Sequence, residues 1–111
     1  MSVLTIRTYR RYATRLPVGL RRAGRKSVRG LLIELSQQGA RISNIEGGTL
    51  EPGDPVVLAA QSGARLSGTI RWAHDNVAGV RLDQPLHLPE LRELLDLSRR
   101  EQSASEPRYG T

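Results

Sequence analysis

The sequence predicts a mainly β protein: a small antiparallel β-barrel followed by one α-helix. Three observations carry this. Short apolar runs recur at close spacing, separated by polar turns rich in glycine, asparagine and proline. Between Ala64 and Ala73, Leu66, Gly68, Ile70 and Trp72 alternate with Arg65, Ser67, Thr69 and Arg71, the period of a half-buried strand. After Pro89, residues Leu91, Leu94, Leu95 and Leu97 join Leu88 in an apolar stripe at helical spacing.

The elements follow in order. Leu16 to Leu20 reads as a strand, with Pro17 tolerated at its start or on an edge. Arg22 to Lys26 is a turn, and Ser27 to Leu35 is a strongly apolar strand. Ser36 to Gly39 turns the chain into a short strand, Ala40 to Ser43. Glu46-Gly47-Gly48 and Pro52-Gly53-Asp54 are turn signals ahead of a strand from Pro55 to Ala60. Ala64 to Ala73 follows, then a hairpin turn at His74-Asp75-Asn76 and a return strand, Val77 to Leu82. Glu90 and Glu93 open the helix and Arg99 and Arg100 lie near its end, the order that the helix dipole favours. Trp72 shares a face with Leu66 and Ile70 and reads as core.

Composition narrows the class. At 111 residues the chain has room for one core. It has no cysteine, which excludes disulfides and thiolate metal sites. His74 and His87 lie far apart, without metal-ligand spacing, and read as surface residues. The longest apolar run, Val56 to Ala60, is far too short to enter a bilayer as a span, and no signal-peptide pattern opens the chain. A cytoplasmic protein without membrane insertion is expected. No nucleophile elbow, P-loop or grouped acid–base pair occurs, so a binding module is expected and an enzyme is not. No cofactor is expected.

The net charge of +6 is concentrated at one end. Residues 1–30 carry nine basic side chains and no acidic one, while the remaining 81 carry eight basic and eleven acidic. An anionic partner for the basic end follows. Exposed aromatics are too few for a single-strand nucleic-acid platform, which argues against a nucleic-acid partner.

Two clusters bear on that partner. Arg10-Arg11-Tyr12-Ala13-Thr14-Arg15 offers guanidinium forks, which match phosphate oxygens or the acceptor edge of guanine. Glu34-Leu35-Ser36-Gln37-Gln38-Gly39 is a tight polar turn whose glycine allows close backbone approach or a positive φ. Arg41 and Arg71 read as exposed strand arginines.

In this order the clusters resemble the PilZ domain family. The RxxxR pair is Arg11 and Arg15, and the D/N-x-S-x-x-G turn is Glu34 to Gly39. Pro52-Gly53-Asp54, Gly68 to Trp72 and Ala78 to Leu82 extend the similarity over residues 7–97. The resemblance implies a six-stranded antiparallel barrel with a C-terminal helix. It implies cyclic di-GMP, a bacterial second messenger, as the ligand, and Arg10, Arg11, Arg15, Glu34, Ser36 and Gly39 as the residues that bind it. It also implies signalling through an effector protein that the sequence does not identify. The domain would run from 11 to 98, between a flexible basic arm at 1–10 and a disordered tail at 99–111.

Glu34 stands where the family has Asp or Asn. It either meets the guanine edge with a carboxylate one methylene further out, or pairs with an arginine of the arm and competes with the ligand. The second possibility supports an alternative function, a protein-interaction module that does not bind the nucleotide.

Overall fold

The structure is a computed structural model that describes residues 10–47 and 49–105, with backbone only for 101–105. Six strands form: β1 (Tyr12–Arg21), β2 (Val28–Leu35), β3 (Gly39–Ser43), β4 (Pro55–Ala60), β5 (Arg65–His74) and β6 (Val77–Leu82). One helix follows, α1 (Leu88–Ser105). The strands close into a barrel in the order β1-β2-β3-β6-β5-β4, with every pairing antiparallel.

Alternation along each strand fills the interior with branched aliphatics. Leu35, Ala40, Val80 and Ile70 are in register across β2, β3, β6 and β5, and all are buried. Leu35 and Ile42 are fully enclosed. The β5–β6 hairpin turns at Asp75 and Asn76, both with positive φ, as a two-residue loop with the right twist requires.

The two ends of the barrel are covered differently. At one end Ile45 is buried, its N–H donating to Asn76 O, and the next N–H, of Glu46, donates to Arg29 O. Arg22 ties the same connection down, pairing with Asp54 at 3.6 Å and donating to the carbonyl of Thr49. At the other end α1 docks through Leu91, Leu94 and Ser98. The helix starts at a cap in which the Glu90 carboxylate accepts the His87 N–H at 3.0 Å.

Three expectations change. β1 begins at Tyr12, four residues before the expected Leu16, so Arg15 lies within a strand and not ahead of one. The cause is the pairing of Tyr12 and Ala13 with Leu35 and Glu34, a tertiary contact that local sequence does not show. The helix runs through Ser105, so residues 99–105 are helical where a tail was expected; Asp96 and Arg99 pair at 3.2 Å along this turn. Leu88 belongs to the apolar stripe in sequence but is 61% exposed, although Leu86 before it and Leu91 after it are buried. Of the expected arm at 1–10, only Arg10 is described, and it is exposed; residues 1–9 and 106–111 lie outside the described residues.

Helix docking rests partly on one hydrogen bond. A register shift in β1 between Ala13 and Leu16 leaves the Arg15 N–H free of the ladder, and it donates to Ser98 Oγ at 2.8 Å. Ser98→Ala is expected to cost about 1–2 kcal/mol, since it strands that donor. Leu88→Ala should stay within about 0.5 kcal/mol, the usual range for an exposed site. Urea unfolding of the two variants checks both values.

Candidate functional site

One row of outward positions crosses the barrel. Glu34 on β2 pairs in register with Arg41 on β3, Arg41 with Gly79 on β6, and Gly79 with Trp72 on β5. The row forms the floor of an open depression of about 460 Å³. Arg11, Arg71 and Arg81 stand around it, with Ser36, Gln38 and Gly39 at one end. Four arginines therefore surround one acidic residue, a local balance of +3.

Trp72 is not core. A register shift in β5 between Ile70 and Trp72 inserts one extra residue opposite β6. Ile70 stays inside, while Arg71 and Trp72 both reach the outer surface. Strict alternation would have buried Trp72 beside Ile70, which is why the sequence pattern misplaced it. Gly79 makes the new position possible. A Cβ there would overlap the indole of Trp72, so the ring lies directly over bare backbone. His74 stacks on Trp72 with ring centroids 5.1 Å apart. The Arg41 guanidinium sits 5.7 Å from the Trp72 ring centroid and 4.0 Å from the Glu34 carboxylate. Arg41 thus bridges an anion and an aromatic face.

The Ser36–Gly39 turn closes on itself. Ser36 Oγ accepts the N–H groups of Gln38 at 3.2 Å and Gly39 at 3.0 Å, and Ser36 N–H donates to Gly39 O at 2.9 Å. Gly39 is not at a positive φ, contrary to one of the two expectations for it. Proximity favours glycine instead: a Cβ would lie 3.0 Å from Val80 O, a tight contact with backbone. The adjoining residues anchor the turn, since Leu82 N–H donates to Gln38 O and the Gln37 side-chain amide to Leu86 O, both at 2.8 Å. The turn is fixed before any ligand arrives.

Of the residues singled out from sequence, the depression brings together Arg11, Glu34, Ser36 and Gly39. Arg10 and Arg15 are exposed and do not line it. Glu34 pairs with an arginine, but with Arg41 across the sheet and not with one of the arm. Arg41, Arg71, Arg81 and Trp72 are the additions. Gly79, a glycine inside a strand, was the available signal that something packs closely there.

A second depression, of about 750 Å³, lies beside the β1–β2 hairpin among Arg21, Arg25, Lys26 and Asp83. It has no aromatic floor, and its Arg22 is already engaged by Asp54 and Thr49. Its size alone does not make it the better site. Among the described residues no group of His, Asp or Glu could hold a metal ion, and no helix is long and apolar enough to cross a membrane.

Comparison with known proteins agrees with this architecture. The chain is similar in structure to the Bacillus subtilis inhibitor of motility MotI/DgrA, with a TM-score of 0.60 and 15% identity over 93% of this chain. It spans 54% of that protein's length. It is also similar to the PilZ domain of CeSA from a cellulose-synthesizing bacterium, with a TM-score of 0.59 and 21% identity, covering 84% of this chain and 98% of that one. At these identities the likeness shows the fold. None of the curated proteins matches the chain. The family model for the PilZ domain matches residues 5–100, nearly the whole sequence and all of the site, and the chain belongs to that family, a family of receptor domains for cyclic di-GMP.

Proposed function

We propose that the protein is a cytoplasmic receptor for cyclic di-GMP that signals through a partner protein. One observation carries this reading: a depression ringed by arginines and floored by an aromatic ring, beside a preformed polar turn. A cyclic dinucleotide presents two phosphates and two purine faces, and the site offers a complement to each. Guanidinium forks suit the phosphates and the guanine O6 and N7 acceptors. The indole of Trp72 suits a purine face. Nothing in this chemistry requires a nucleophile or a metal, which fits a receptor and not an enzyme.

Arg10, Arg11 and Arg15 act as the clamp. Arg11 already borders the depression, while Arg15 is held by its N–H bond to Ser98, so its approach falls to the side chain. Drawing this segment over the ligand changes the surface around the start of β1 and the docked α1. That change is what an effector protein would read. Ser36 and Gly39 hold the turn against which the ligand rests.

The alternative is a protein-interaction module that does not bind the nucleotide, and Glu34 with its Arg41 pair favours it. Isothermal titration with cyclic di-GMP decides between them. Binding is expected, and an absence of heat at any usable concentration would leave the interaction module as the function.

Arg11→Ala and Arg15→Ala are each expected to lose about 2 kcal/mol, roughly thirtyfold in Kd, as for other charge-assisted contacts. Unchanged affinity in both would remove the clamp assignment. Trp72→Ala should lose about 1–3 kcal/mol of stacking. Gly79→Ala should weaken binding as well, by tilting the indole, and alter the near-ultraviolet circular dichroism of the free protein. Wild-type affinity in both variants would show that the ring does not stack on the ligand.

A further inference from the structure

We infer that Glu34 is a resident anion that occupies Arg41 in the free protein, and that ligand binds by taking its place. This rests on the receptor reading above and adds how that site is regulated.

The geometry of the pair carries this inference. Glu34 and Arg41 are cross-strand partners on β2 and β3, facing outward. Their charged atoms stand 4.0 Å apart, at the outer limit of an ion pair. The Glu34 side chain is 31% exposed and that of Arg41 44%. An Asp in place of Glu34 would be shorter by one methylene and would draw its carboxylate back from an Arg41 contact that already stands at 4.0 Å. The length of Glu34 therefore favours the pair. Arg41 in turn extends across Gly79 toward the Trp72 ring. It lies over the middle of the row, where a ligand stacked on Trp72 would place its charge.

Among the described residues no other acidic side chain lines the depression, so an incoming phosphate finds one competitor there. Both partners are open to water, which keeps their attraction small and the exchange reversible. A buried pair would resist exchange; a pair this exposed yields to a doubly charged ligand that also engages Arg11. The same placement argues against Glu34 as a guanine contact. A carboxylate that accepts guanine N–H groups would bring its own negative charge beside the phosphates.

The test is a titration of cyclic di-GMP into wild type, Glu34→Gln, Arg41→Ala and the double variant. Glu34→Gln keeps the size of the side chain and removes the charge. It is expected to bind roughly two- to fivefold more tightly, the value of an exposed ion pair. Arg41→Ala should bind more weakly, and in that background Glu34→Gln should bring no gain. Weaker binding in Glu34→Gln, or a gain that persists without Arg41, would overturn the inference. A Glu34→Gln that binds when wild type does not would support it in its strongest form. Should no form bind the nucleotide, the receptor reading fails, and inorganic phosphate followed at the Arg41 Nε–H resonance tests the exchange alone. A response at lower phosphate in Glu34→Gln than in wild type supports it, and equal responses overturn it.

Discussion

In a closed barrel alternate side chains point inward, and β5 follows that rule from Leu66 through Gly68 to Ile70. The extra residue opposite Gly79 then shifts the phase and carries Trp72 outward with Arg71. Two other pairings also shift: β1 between Ala13 and Leu16, and β2 between Leu32 and Glu34. The first frees the Arg15 N–H for Ser98, and the second leaves Ile33 and Glu34 adjacent on the half-buried outer side. Glu34, Arg71 and Trp72 of the depression stand where the regular ladder is broken. Bulges commonly re-aim side chains at functional sites. Here they let one small barrel keep an aliphatic interior and still present a wide polar and aromatic surface.

The fold was legible because its causes are local. Period-two alternation marked β5, glycine and asparagine marked the turns, and a leucine stripe marked α1. Asp75 and Asn76 adopt the turn that their position between two strands suggested. The boundaries were less legible, because they depend on contacts. Tyr12 to Arg15 lack an apolar period, yet β2 pairs with their start and Ser98 receives one of their N–H groups. The site was legible in part. Arg11, Glu34, Ser36 and Gly39 stand in two short clusters that the sequence displays together. Arg41, Arg71 and Arg81 are scattered over 41 positions and meet only through the order β3-β6-β5. A phase shift inside a strand leaves no mark in a hydrophobic pattern, so Trp72 looked like core.

Charge distribution shows the same difference between chain order and space. The sequence places its positive excess in residues 1–30. Yet three of the four arginines at the depression come from the remainder, which is net acidic. The hairpin cations Arg21, Arg25 and Lys26 lie at a different depression altogether. The field that matters to a ligand is therefore assembled by the barrel. Exposed charges more than a Debye length apart, about 8–10 Å in ordinary buffers, add little to one another.

The row from Glu34 to Trp72 also bears on what preorganisation can achieve here. A long guanidinium side chain loses rotamer freedom when it grips a ligand, and that loss reduces affinity. Arg41 has surrendered part of that freedom beforehand, held between a carboxylate and an indole that itself rests on bare backbone. Its aim is set in the free protein, and on the inference above a ligand would displace the existing partner. The opposite arrangement holds at Arg10 and Arg15, which are exposed and lie off the depression. On the proposed reading they must be gathered in by the ligand. A receptor that combines one aimed, occupied cation with such a clamp would have two separate controls on affinity, the residue at position 34 and the reach of the segment before β1.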